Sequence, residues 1–377
     1  MARGKGRLPT GMTLRKDGLI EYRFIVDGKR YSVYGTSATD CKKKEIDKRE
    51  RIQQQMAARN ANVTLSKYYD EWIAARKGTV TAATIYCDNR RFKHIRKVLG
   101  SRKVAKIERR EIIALQKSLS ETLSTASVND IMSLLRSILR SAVIDRITQW
   151  NPADGIKRLQ RTETPASETI HRALTADEQT TFFKYAADSW YYNFMRFLLL
   201  TGMRTGEAAA LTWADIDRKA EVIHITKSLS RTGDNSFEIG KPKTRTSRRD
   251  IPLTADMIAT LDSQKEMQKA VNGYKVVAID QRIFTATDGK GYIVATTMCN
   301  IIKNILGKAA ADGHEIERFS AHCFRDTFAT EAIRQGMEPQ TLKTILGHSS
   351  LAMTMDLYSH VMPDTKKQQM DKIKIIV

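Results

Sequence analysis

Four cysteines, Cys41, Cys87, Cys299 and Cys323, lie so far apart that no CxxC pair forms. That spacing offers neither a disulfide framework nor a thiolate zinc site, and it suits a reducing compartment. Long apolar runs are also missing. The most apolar stretch, FMRFLLL at 194–200, is far short of a membrane span. No continuous apolar segment follows the basic N-terminus, so no secretion signal is expected and a cytoplasmic protein is. No internal repeat or low-complexity tract stands out. Acidic residues are the scarcest class relative to their counterpart: 42 Asp and Glu against 63 Lys and Arg give a formal charge of +21. A field of that sign implies a polyanionic partner, nucleic acid ahead of an acidic membrane surface.

The 377 residues exceed one ordinary core and predict a multidomain, mainly α chain. Residues 1–60 hold 15 basic and 7 acidic side chains, a local net of +8. Within them GMTLRKDGLIEYRFIVDGKRYSVYG alternates apolar and polar residues and breaks at Lys16-Asp17-Gly18 and Asp27-Gly28. Asp-Gly is a tight-turn signal, so a three-stranded antiparallel meander is expected, followed by a polar helix over 39–56. The exposed sheet face would carry Arg15, Lys16, Arg23, Lys29 and Arg30, a basic surface suited to a DNA groove. Residues 64–155 read as helices only. LSKYYDEWIAARK sets Leu65, Tyr69, Trp72 and Ile73 on one face. A second helix near 82–98 gathers Arg90, Arg91, Lys93, Arg96 and Lys97 for the phosphate backbone. A third begins near Arg109, and a fourth buries Ile131, Leu134, Leu135, Ile138 and Leu139. Residues 156–170 lack a hydrophobic period and read as a linker. Thr175 with Glu178 has capping-box spacing. Helices are expected over 175–217, short strands at 221–226, 236–241 and 249–253, and helices again over 293–376. The last domain is therefore 171–377, helical with a small sheet inserted.

Four motifs follow in that domain: TGMRTGE, KPKTRTSRRDIPL, HCFRDTFAT with LGHSS, and MDLYSH. In this order and spacing they resemble those of the tyrosine recombinases, within that family the integrases of phages and conjugative transposons. The resemblance covers the whole chain. It implies an arm-type DNA-binding domain at 1–60, a helical core-binding domain at 64–155 and an α+β catalytic domain at 171–377. Carried over by position, Arg204 and Arg325 match the two catalytic arginines and Lys243 the hairpin lysine. His322 matches the histidine before the second arginine, His348 the histidine-or-tryptophan position, and Tyr358 the nucleophile. Glu207, Asp326 and His360 are supporting positions. Lys241, Arg245, Arg248 and Arg249 crowd Lys243 and are expected to contact DNA.

The chemistry suits those residue types. Cutting and rejoining a phosphodiester without an energy source requires the bond energy to be stored, and a tyrosine stores it as a 3′-phosphotyrosyl ester. Two guanidinium forks suit the charge that grows on the phosphate oxygens, and a lysine can protonate the leaving 5′ oxygen. No converging carboxylates stand near the basic motifs to hold Mg²⁺, so neither metal nor cofactor is expected. The resemblance further implies a homotetramer on two DNA segments, a Holliday junction, an accessory excision factor and, in some relatives, a host DNA-bending protein. The apolar chain end, with Met370, Ile373 and Val377 at helical spacing, is a candidate contact between protomers. Two alternatives remain open on sequence: a type IB topoisomerase using the same residue types, and an architectural or regulatory DNA-binding protein that does not cleave.

Overall fold

The computed structural model describes residues 8–26, 28–160, 172–242, 245–271, 273, 277–289 and 291–361, with backbone alone for 53–61, 245 and 358–361. The chain divides into two compact units, Met1–Ala166 and Ser167–Val377. The linker expectation over 156–170 falls largely outside the described residues.

The first unit begins with the meander: β1 (Met12–Leu14), β2 (Ile20–Val26) and β3 (Lys29–Gly35), antiparallel in the order β1-β2-β3. Register pairs Glu21 with Tyr34, Arg23 with Ser32 and Ile25 with Arg30, so these side chains share one face. The other face buries Met12, Ile20, Phe24 and Val33 beneath helix α1 (Ala38–Ala61). Arg15, Arg23 and Arg30 thus belong with the open face, where Arg15 lies over the Tyr34 ring. Lys16 sits in the β1–β2 turn. Lys29 alternates to the helix side, at the end of the sheet. Arg23 is drawn sideways onto Glu21 through two hydrogen bonds of 3.0 Å.

Four helices follow: α2 (Leu65–Ala75), α3 (Ala82–Leu99), α4 (Arg109–Ser120) and α5 (Thr125–Ile144). Their core takes the whole predicted set of α5 and, from α2, adds Tyr68 to the expected face. Tyr68 is buried because its hydroxyl donates to Asp145 at 2.6 Å, and Trp72 Nε1 donates to Ser141 at 2.9 Å. Both polar tips are satisfied, which lets the rings pack. No described helix is long and apolar enough to cross a membrane.

The second unit opens with α6 (Ala176–Ala186), whose Thr175–Glu178 capping box forms as expected. Then come α7 (Tyr192–Thr201) and the short α8 (Thr205–Ala208). The helical stretch stops earlier than the sequence suggests, since Ile216–Asp217 form strand β4. Strand β5 (Val222–Ile225) lies between β4 and β8 (Arg249–Pro252), while β6 (Ser228–Arg231) and β7 (Phe237–Gly240) form a separate hairpin. Helix α9 (Ala255–Val271) has no counterpart in the sequence reading. The last described helices are α10 (Ala295–Ala311), α11 (His322–Arg334), α12 (Pro339–Leu346) and α13 (Leu351–Val361). The expectation for the tail at 362–377 lies outside the described residues. One core joins α6, α7, α10 and the sheet, and a smaller one joins α11, α12 and α13.

Candidate active site

Two left-handed glycines set the frame. Gly202 (φ +61°) ends α7, and a Cβ there would collide with the Phe328 ring. Gly347 (φ +67°) ends α12 in the same way. Each turn costs a side-chain-bearing residue strain that glycine escapes. The first turn carries the chain from Thr201 into Arg204, the N-cap of α8. The second carries α12 into His348.

A helix ends with carbonyls that have no partner inside it, at the negative end of its dipole. At α12 those carbonyls hold three arginines. Ile345 O accepts from Arg249 Nε at 2.5 Å, Leu346 O from Arg325 Nη2 at 2.7 Å, and Gly347 O from Arg204 Nη2 at 3.3 Å. Arg325 is further held by Gly202 O at 2.7 Å, which ties it to the end of α7. Three consecutive carbonyls therefore position three guanidinium groups contributed by β8, α11 and the start of α8.

Among the described residues Glu207 is the carboxylate that bonds two of these groups, Arg204 and Arg249. Its Oε1 accepts from Arg204 Nη1 at 2.8 Å and Arg249 Nη1 at 3.1 Å. Its Oε2 accepts from Arg249 Nη2 at 2.9 Å and the Arg204 backbone N–H at 3.0 Å. Burial opposes the charged carboxylate, but the Arg249 hydrogen bond and charge, with Arg204, outweigh it and hold the carboxyl below its ordinary value. Arg325 is only 4% exposed. Burial first, then the like charge of Arg204, pushes its guanidinium down to about 9, so it remains charged at neutral pH.

His348 is buried, and its Nδ1 lies 2.9 Å from Thr354 Oγ1 on α13. Burial, followed by the charges of Arg325, Arg204, Arg249 and His322, lowers its pKa to about 4. The ring is therefore neutral near pH 7. His322 opens α11 with its side chain 46% exposed, and its Nε2 stands 3.9 Å from Asp326 Oδ1. Asp326 thus faces His322 on its own helix.

Of the predicted site residues, Arg204, Glu207, Arg325 and His348 come together, with His322 close enough to act on His348. Lys243 lies outside the described residues. Tyr358 and His360 lie on the α13 backbone, their side chains outside the description, as is that of Arg245. Arg249 requires a correction. Expected at the DNA, it is 8% exposed, and four hydrogen bonds to Glu207, Ser247 and Ile345 leave it facing inward. Lys241 and Arg248 remain exposed. On α3, Arg91 bonds Asp130 at 2.5 Å and Arg96 bonds Asp70 at 2.6 Å. Arg90, Lys93 and Lys97 are exposed and, among the described residues, carry no ion pair.

Of the residues that hold this arrangement, sequence reasoning gave Arg249 a different role and missed Thr354. Arg249 was hidden in a run of basic residues that all read alike. Thr354 was overlooked, although its position one turn before Tyr358 is a signal that a helical reading offers. Among the described residues no group of three or more His, Cys, Asp or Glu side chains is arranged to hold a metal ion.

The profile of the Phage integrase family matches residues 171–364, and that of the Phage integrase N-terminal SAM-like domain matches 64–120. The ICEBs1 integrase of Bacillus subtilis (strain 168) is 28% identical over 339 residues, covering 87% of this chain and 88% of the relative. The transposase from transposon Tn916 of Enterococcus faecalis is 24% identical over 395 residues, covering 98% and 95%. Among solved structures, the Tn1549 transposon integrase in complex with circular intermediate DNA superposes with a TM-score of 0.67 at 24% identity, over 82% of this chain and 99% of that one. A lambda integrase tetramer bound to a Holliday junction gives 0.59 at 20% identity, over 91% and 96%. At these identities the structural likeness speaks for the fold.

Proposed function

Because the chain belongs to the phage integrase family, the tyrosine recombinases, we propose that it cuts and rejoins DNA at specific sites to integrate and excise a mobile element. The observation that carries the reading is the end of α12. It holds Arg204 and Arg325 beside a neutral His348, with the Tyr358 helix bonded to that histidine through Thr354. Glu207 bonds two of the three guanidiniums and backbone carbonyls hold the third, and this excess of positive charge suits a phosphodiester.

In the reaction we propose, the Tyr358 hydroxyl loses its proton, with His322 assisting, and its oxygen attacks phosphorus. The bond from phosphorus to the 5′ oxygen breaks, and Lys243 supplies the proton that lets that oxygen leave as a hydroxyl. The product is a 3′-phosphotyrosyl ester, which a 5′-hydroxyl of the partner strand attacks to restore the tyrosine and a phosphodiester. Arg204 and Arg325 bind the non-bridging oxygens as their charge grows, and His348 donates to one of them. Charge neutralisation by these groups leaves little for a metal ion to do.

We assign residues 1–60 to an arm-type site, 64–155 to the core site and 171–377 to catalysis. The working form is a homotetramer joining two DNA segments through a Holliday junction. An accessory excision factor would bias excision over integration, a host DNA-bending protein is a further candidate partner, and the cytoplasm is the expected location. The test is a core-site DNA with a nick beside the cleavage point, so that the cut fragment diffuses away. The protein should accumulate as a covalent adduct, and Tyr358→Phe should bind the site and form none. Reversible binding without adduct would instead favour a regulatory DNA-binding protein.

A further inference from the structure

We propose that Arg249 is a positioning residue of the active site, the group through which Glu207 and the end of α12 hold Arg204 in place for the phosphate. The inference rests on the recombinase reading for its substrate, but its geometry stands apart from it. Arg249 comes from β8, the strand that follows the Lys243 segment, and its side chain is 3% exposed. It spans three separate pieces of chain: its own segment at Ser247 O, the start of α8 at Glu207, and the end of α12 at Ile345 O.

The bidentate contact uses both Glu207 oxygens, and each of those oxygens also receives a donor from Arg204. Arg204 is therefore oriented by a carboxylate that Arg249 itself orients. The fork matters here, because a lysine at 249 would supply a charge without the planar pair of N–H groups that fixes the carboxylate plane. Gly347 belongs to the same arrangement. A Cβ on it would stand 3.0 Å from Arg249 Nη1, so the turn that delivers His348 closes directly over this guanidinium. Arg204 keeps 38% of its side chain exposed, whereas Arg249 keeps almost none. The division of labour follows: Arg204 meets the phosphate, and Arg249 meets only protein.

Arg249→Lys should bind core-site DNA within about threefold of the wild type, because the substituted group does not reach DNA. Its single-turnover cleavage of the nicked core site should fall on the order of a hundredfold, as expected when a reacting group is displaced by about an ångström. Glu207→Gln should fall comparably. The double variant should be no slower than the slower single one, since both act on Arg204 through one linkage. Multiplying losses, or cleavage by Arg249→Lys near the wild-type rate, would overturn the proposal.

A second readout does not depend on cleavage. Inorganic sulfate, compared with chloride at equal ionic strength, should raise the melting temperature of the wild type, and Arg204→Gln should remove the share due to this cluster. Arg249→Lys should remove that same share. If the wild type forms no adduct, the recombinase reading fails while the sulfate experiment still decides the role of Arg249. Equal sulfate shifts in wild type and Arg249→Lys, or none in the wild type, would overturn it. Should Arg249→Lys not fold, Arg249→Met fills a similar volume without charge. A folded Met variant with full cleavage overturns the proposal, and failure of both to fold makes Arg249 a folding residue and overturns it too.

Discussion

Thr354 and His348 show how one hydrogen bond links two pieces of chemistry. The threonine is fully buried on α13, one helical turn before Tyr358, and its hydroxyl meets His348 Nδ1 at 2.9 Å. The contact fixes the imidazole and ties it to the helix of the proposed nucleophile. Thr354→Val keeps the shape and removes the bond, so cleavage should fall by about tenfold while site binding holds. Thr354→Ser should retain most of the rate, and a valine variant that cleaves as fast as wild type would exclude the role. His348 itself makes a pH prediction. Its folded pKa, near 4, lies below the ordinary histidine value, so the unfolded chain takes up this proton first as pH falls. The histidine therefore costs stability progressively from about pH 6.5 down to its folded pKa, where the loss levels off. A histidine NMR titration of the folded protein, with the His348 signal identified by His348→Gln, should give a midpoint near 4. An ordinary midpoint would contradict the buried, cation-lined setting.

At the scale of elements, α3 and α9 carry opposite lessons about legibility. The basic face of α3 was plain in its sequence, but the use made of each charge was not. Arg91 and Arg96 are spent on Asp130 and Asp70, whereas Arg90, Lys93 and Lys97 stay exposed at near-helical spacing. Replacing those three with glutamine should weaken core-site binding and lower the salt slope by roughly 0.9 per lost phosphate contact. Arg91→Gln should leave the slope nearly unchanged. Fluorescence titrations at several salt concentrations separate these outcomes. Helix α9 escaped the sequence reading because its buried face is partly polar. Gln264 and Gln268 are nearly inaccessible, and their amides donate to Ile283 O at distances of 3.0 and 2.9 Å. A periodicity search counts such glutamines as surface. The motifs assigned here to catalysis stand out in the sequence because arginine, histidine and tyrosine at fixed spacings are chemically distinctive, and of their residues Arg204, Glu207, Arg325 and His348 lie together in the fold. The α12 carbonyls that organise them are backbone groups, so no residue type announces them. Arg249 was misassigned for a related reason, since neighbouring arginines differ only in which way the strand turns them.

For the whole molecule, the separation of proposed DNA-binding and cutting roles along the chain predicts that they can be uncoupled. The sheet, with its net +8 segment, precedes residue 61, and every assigned catalytic residue follows residue 200. A chain lacking residues 1–60 should lose binding at an arm-type site and show a shallower salt dependence overall, yet still cut a nicked core site. A folded truncation unable to cut that site would refute the division. The arginine cluster and the α13 helix lead to one claim above the others: the cut DNA end is held on Tyr358, with guanidinium groups bearing the phosphate charge. The direct measurement is to trap the adduct on a nicked core site in the presence of EDTA, digest both polymers, and identify the modified peptide by mass spectrometry. Undiminished adduct is expected, with a single nucleotide joined through its 3′ phosphate to Tyr358 in the MDLYSH segment. A linkage to another residue, a 5′-phosphate linkage, or cleavage abolished by EDTA would contradict it.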